Sequence, residues 1–214
     1  MQNVITHIDP VTGAKTIDPE KIPDVNRPCE VCPSAIGARS WPPTSYSPKT
    51  KLVYVPITES CMLMGPKGIR LLTSGVGISG ATHPDSRDGM LGRLQAIDVV
   101  NQKLAWTRDL VSPLSTGVLA TGGGLVFTGD IDPSLKAFDD TSGELLWQAK
   151  LDDSPSSSLV TYRVEDKQYV AVVVGMKNFH VDGISGAFLG PISDSDVPSN
   201  DSPKGGAAIW VFAL

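Results

Sequence analysis

A chain of 214 residues that is 41% apolar is long enough to bury a sizeable core, while its 21 glycines and 17 prolines interrupt it too often for long helices. The net charge of −5, with 18 basic residues scattered along the chain, argues against nucleic acid or an anionic membrane as the main partner. The longest apolar run, residues 169–174, falls far short of the ~20 needed to span a bilayer, and residues 1–9 lack the basic-then-apolar order of a secretory signal.

In chain order, the first signal is a turn, Asp9-Pro-Val-Thr12-Gly13, followed by a Pro-rich connection over 22–43. A strand is predicted at 52–56, then a Gly-rich loop over 65–92, and then the first of two copies of one pattern. Leu94, Ala96, Asp98 and Trp106 recur 41 residues later as Leu135, Ala137, Asp139 and Trp147. Between the copies, strands at 117–121 and 125–128 flank the tight turn Gly122-Gly-Gly124. Beyond them, 158–163 and 168–174 form another hairpin around Glu165-Asp166. A loop over 176–204 leads to a closing strand at 208–213, which is apolar to its end and so is expected to lie buried in a sheet.

Each copy reads as strand, turn, strand: Leu135 and Ala137 alternate with polar neighbours, Asp140-Thr-Ser-Gly143 is turn chemistry, and Leu145-Leu-Trp147 begins the return. A lone amphipathic hairpin cannot bury its apolar face. It must stack on another copy, and a Trp at the same place in each unit supplies the docking surface, so Trp106 and Trp147 are both expected to be buried between neighbours. A period near 40 is that of a propeller, closed by typically four to eight blades. The fold expected is all-β, with three to four antiparallel four-stranded blades of a partial propeller. The turn at Asp9, with Ile17 where the Trp should stand, reads as the outer edge of a unit whose inner strands lie before Met1.

Several segments carry a resemblance. Gly92-Arg-Leu-Gln-Ala-Ile-Asp98, residues 116–129, Leu145-Leu-Trp147, residues 166–172 and Ile209-Trp-Val-Phe-Ala-Leu214 resemble the C-terminal part of pyrroloquinoline quinone (PQQ)-dependent alcohol dehydrogenases, and residues 32–56 are similar to the stretch those enzymes place around the cofactor. The resemblance implies a periplasmic eight-bladed propeller that oxidises small primary alcohols or aldehydes by hydride transfer to PQQ. It also implies a calcium or lanthanide ion on the axis and electron transfer to a cytochrome c-type acceptor. The family's catalytic Asp, its metal ligands and its adjacent-cysteine ring all lie upstream of the segment matching Met1. No catalytic or metal-ligating residue is therefore expected within 1–214, which reads as one C-terminal segment, inactive alone and partnered by the N-terminal part of the same propeller. By the same resemblance, Ser40 and Trp41 stand where the family has an Asn-Trp pair beside the quinone, and Asn178 and Phe179 fall where a Gly-Trp pair approaches it.

Three cysteines are present. Cys29-Glu-Val-Cys32 has CxxC spacing, but Pro33 follows where haem attachment needs His, and a zinc ribbon would need a second pair. The resemblance favours a Cys32–Cys61 disulfide; three free thiols, or Cys29–Cys32, are the alternatives. His7, His83 and His180 are far apart without an acidic cluster around them, Gly122–Gly124 precedes no helix and so is no phosphate cradle, and the acidic loop 194–201 reads as solvated. The reading set against the enzyme is a non-catalytic PQQ-like-repeat propeller, a protein-binding scaffold such as those of outer-membrane assembly. Such a scaffold shares the repeat but has no reason to keep the segment 32–56.

Overall fold

A computed structural model of the chain describes residues 2–22, 24, 26–34, 37–64, 90–175 and 207–214. These are almost entirely β-structure, with one 3-10 turn at Pro19–Lys21. The first large sheet has the order β4 (Ser45–Ser47), β5 (Leu52–Thr58), β7 (Gly92–Asp98), β8 (Lys103–Leu110). The second runs from β9 (Leu119–Ala120) through β10 (Leu125–Asp130) and β11 (Ser134–Asp139) to β12 (Leu145–Lys150), and the third is β13 (Val160–Val164), β14 (Lys167–Val174), β15 (Ala208–Ala213). All neighbours are antiparallel, as the meandering sequence signals require. Two small sheets, β1 (Ile5–Ile8) with β2 (Lys15–Ile17) and β3 (Cys29–Val31) with β6 (Met62–Met64), precede and flank the first large one. The β3–β6 pair falls outside the strands expected from sequence, because neither strand is long enough to show alternation.

The repeat is exact at the level of pairing. Ala96 faces Trp106 and Ala137 faces Trp147, and each sheet slips register at the next residue, Ile97 or Phe138. Strand alternation divides the second sheet between two cores. Val126 and Phe138 join Leu52, Tyr54, Leu94, Ala96 and Trp106 of the first sheet, while Phe127, Leu135 and Ala137 point the other way, onto Val170, Val172 and Val174 of the third. The sheets therefore stack face to face as successive blades, and the set is open at both ends.

At the first seam Trp106 is 8% exposed. The turn Asp140–Gly143 of the next sheet lies over its ring: Gly143 has φ of +69° and a Cβ there would sit 2.5 Å from the indole, so only glycine fits. Arg108 clasps the same turn, donating from Nε to the Gly143 carbonyl at 2.5 Å and from Nη2 to that of Ser142 at 3.0 Å.

Two expectations are corrected here. Trp147 occupies the equivalent position but is 39% exposed, with only the edge of Phe212 against it at 5.1 Å. The third sheet has three strands among the described residues, so no turn like Asp140–Gly143 covers the indole. The closing strand β15 is likewise in a sheet but not buried: Ile209 is 69% and Val211 47% exposed, because β15 is an edge strand and its outer face meets no further blade.

Candidate functional site

Three connectors enter the large sheets at the same end. The isolated bridges Ala38↔Thr58, Leu114↔Asp130 and Pro155↔Val174 fall on the last residues of β5, β10 and β14, the second strand of each sheet. The loop bearing Ser40 and Trp41, the loop 112–118 and the loop 151–159 are thus equivalent parts of successive blades.

The first of these loops is firmly anchored. Cys32 and Cys61 form a disulfide with Cα atoms 4.3 Å apart, and Cys29 is a buried free thiol. Around the bridge, Ser34 N donates to the Ser60 carbonyl at 2.8 Å, the Ser34 and Ser60 hydroxyls are 2.7 Å apart, and Ala38 and Thr58 exchange backbone bonds of 2.6 and 3.0 Å. Gly37 is hemmed in so closely that a Cβ would lie 2.6 Å from Ser60 Oγ, and Ala38 adopts φ of +53°. The turn formed this way leads to a half-buried Ser40 and a Trp41 that is 48% exposed. Pro42 and Pro43 fasten its far side: Pro42 is buried, the Pro43 carbonyl accepts from Val118 N at 3.0 Å, and a Cβ on Gly117 would lie 2.5 Å from Pro43 Cγ. A flat apolar ring with one N–H donor is therefore presented on a loop pinned at both ends.

Sequence reasoning missed a buried polar cluster at the same end. Lys136 Nζ donates to Asp130 Oδ2 and, at 2.5 Å, to Ser134 Oγ, while Ser134 Oγ donates to Asp130 Oδ1 at 2.8 Å. All three residues are buried. Burial raises the Asp130 pKa above the usual carboxylate range, and the bond and charge of Lys136 oppose that rise. The cluster fixes the β10–β11 turn, whose Ile131 bonds both neighbouring connectors: its N–H donates to the Pro113 carbonyl at 3.1 Å, and its carbonyl accepts from Ser154 Oγ at 2.9 Å. The signal available in sequence was a Lys in the alternation of β11 at a position facing a core.

Among the described residues, the one group with metal-ligand proximity is Glu30, Cys32 and Cys61, and two of those sulfurs are joined in the disulfide. It therefore offers no thiolate pair to a cation. His7 is exposed on β1, remote in sequence from the loop of Trp41. Asn178 and Phe179, with His83, His180 and the acidic loop 194–201, lie outside the described residues; β14 ends at Val174, at the end of the sheets where Trp41 stands.

Residues 87–170 match the family model described as glucose/ethanol/alcohol dehydrogenase, beta-propeller domain. The chain is 36% identical over 165 residues to the quinohemoprotein alcohol dehydrogenase of Comamonas testosteroni, covering 71% of this chain and 23% of that protein. It is 32% identical over 239 residues to the quinoprotein ethanol dehydrogenase of Pseudomonas aeruginosa, covering 100% of this chain and 36% of that protein. Among solved structures, the Comamonas testosteroni enzyme superposes with a TM-score of 0.65 at 32% identity, over 82% of this chain and 28% of that one. A europium-containing methanol dehydrogenase superposes with a TM-score of 0.74 at 25% identity, over 100% of this chain and 40% of that one. The chain thus spans 23% and 36% of the lengths of these two curated relatives.

Proposed function

Because the chain belongs to the PQQ-dependent alcohol dehydrogenase family, we propose that residues 1–214 are a C-terminal segment of such a propeller, one that helps to oxidise small primary alcohols or aldehydes. The observation that carries this reading is the clamped loop. A disulfide, a glycine with no room for a side chain and two packed prolines hold Trp41 half-exposed at the end of the sheets. A purely structural propeller has no use for that expense of constraint.

Trp41 and Ser40 fit the edge of a planar, anionic quinone: the ring offers an apolar wall and an N–H, and the hydroxyl offers a donor. Asn178 and Phe179 are assigned to the same cofactor on the strength of the family resemblance. Bound PQQ would supply the hydride acceptor. The described residues do not fit the metal or the base, since no open set of carboxylates converges among them. We therefore assign the calcium or lanthanide ligands and the Asp that takes the alcohol proton to the N-terminal part of the propeller. This chain's task is to orient the cofactor, to close the wall that keeps water from it, and to stack its exposed outer sheets against the partner portion. A cytochrome c-type protein is proposed as electron acceptor, and the disulfide supports an oxidising, periplasmic setting.

The test is reconstitution. Purified 1–214 with PQQ, calcium or a lanthanide, and ethanol should reduce no acceptor dye, and addition of the N-terminal polypeptide encoded immediately upstream should restore turnover. Dye reduction by 1–214 alone would show that base and metal site reside in this chain.

A further inference from the structure

The β1–β2 hairpin is a copy of the β11–β12 hairpin, bond for bond. Asp9 Oδ1 accepts from the amides of Val11 and Thr12 at 2.8 and 2.7 Å, and Asp139 Oδ1 accepts from those of Thr141 and Ser142 at 3.0 and 2.7 Å. Gly13 N donates to the Asp9 carbonyl and Gly143 N to the Asp139 carbonyl, each at 2.9 Å. The amide two residues beyond Thr12 or Ser142 donates to that residue's hydroxyl at 3.2 Å in both turns. The two glycines share a left-handed conformation, with φ of +72° and +69°.

One difference separates them. A Cβ on Gly143 would strike the Trp106 ring, whereas a Cβ on Gly13 would meet nothing within 4 Å. Conformation alone does not demand glycine at this place, because Gln102 holds the same position of the third such turn, after Asp98, with φ of +52° and its side chain in solvent. Glycine accompanies an indole; a side chain stands where none docks. The strand beside the empty socket agrees. Ile8 precedes Asp9 as Phe138 precedes Asp139, and Phe138 is 1% exposed against the first sheet while Ile8 is 53% exposed. Val11, on the turn itself, is 91% exposed.

We propose that the Asp9–Gly13 turn is a docking socket for a tryptophan carried on the outer strand of an antiparallel sheet outside this chain. That sheet belongs to the N-terminal partner invoked above, on which reading the choice of partner rests; the socket itself rests on the geometry of the two hairpins.

The experiment titrates N-acetyl-tryptophanamide into isotope-labelled 1–214 and follows backbone amides by NMR, with N-acetyl-leucinamide as control. Saturable shifts at residues 9–13, in the millimolar range for the tryptophan analogue, are expected. The Gly143 amide, whose socket is filled, should not move. Gly13→Asn, which keeps the left-handed turn but fills the open space, should abolish the shifts without moving the thermal melt. An absence of shifts at 9–13, or equal shifts with the leucine analogue, overturns the socket. Concentration-dependent self-association that Trp147→Ala abolishes would instead give the socket to a second copy and overturn the choice of partner. Neither result depends on PQQ, so a failed reconstitution of dye reduction is distinguishable from a failed socket.

Discussion

Trp106 donates its indole N–H to the carbonyl of Asp140 at 3.2 Å, across the seam between two sheets and 34 residues along the chain. The Tyr54 hydroxyl donates to the same oxygen at 3.0 Å, from the middle of the first sheet. One backbone carbonyl thus accepts from two aromatic residues of the preceding blade, which fixes the stacking of the sheets as well as burying apolar surface.

Trp106→Ala should therefore cost about 3–5 kcal/mol, as expected for truncating a buried aromatic. Trp147→Ala, at the equivalent but partly open position, should cost nearer to about 1–2 kcal/mol. Urea melts of the two variants check the difference; equal losses would mean that the Asp140–Gly143 turn contributes nothing to the seam.

Gly143→Ala places a methyl group where the Trp106 ring lies, in a conformation that disfavours it, and should cost at least about 1–3 kcal/mol. The paired variant Gly143→Ala with Trp106→Ala should recover part of that loss. A strictly additive double mutant would show that the clash with the ring is not the cause.

Removing the disulfide by Cys61→Ser should cost about 3–4 kcal/mol for a closed loop of this separation in the chain-entropy model. Mass mapping of non-reduced protein should recover peptides joined through Cys32 and Cys61, with Cys29 alone open to alkylation after unfolding. Recovery of a Cys29–Cys32 linkage would contradict the pairing.

Lys136→Met strands the Asp130 carboxylate in the interior and should destabilise by about 3–5 kcal/mol, as measured for broken buried pairs. Adding Asp130→Asn should restore most of it. Denaturant titration of the three proteins decides the matter, and a single variant as stable as the parent would sink the assignment of a buried pair.

The Asx turns carry a pH signature. Backbone amides of Thr12 and Ser142 hold the Asp9 and Asp139 carboxyls below their ordinary value of 3.8, and the Asn101 side-chain amide does the same for Asp98. A carboxyl with a depressed pKa in the fold stabilises it above the unfolded value, and that stability is lost as pH falls through the folded value. Stability should thus decline as pH drops below 3.8, less steeply in Asp139→Ala than in the parent. Parallel acid melts of the two proteins would tell against the turn as a source.

Trp41→Ala should weaken retention of PQQ in the reconstituted enzyme while leaving the thermal melt of 1–214 nearly unmoved, since the ring is already 48% exposed. Cofactor absorbance after gel filtration is the measurement. Unchanged retention would remove Trp41 from the cofactor wall and leave the family reading standing.

By itself the sequence determined the hairpins and their kinship, because strand alternation, turn chemistry and a repeated Trp are local and leave period and composition on the chain. Leu94, Ala96 and Trp106 announce Leu135, Ala137 and Trp147 without reference to any fold. The pairing of Cys32 with Cys61, and the expectation that Trp41 faces a cofactor, came from likeness to a family rather than from spacing. Only the tertiary structure decided which of two equivalent indoles is buried, since burial depends on what the next sheet brings: Trp106 meets Gly143, and Trp147 meets an open edge. It alone could place Lys136 against Asp130, because a lysine in a strand reads as solvent-facing until the sheet that covers it is in place. It alone showed that Gly13 and Gly143 are the same turn in two states, one filled and one empty, a contrast between identical local bonds that no local signal can carry.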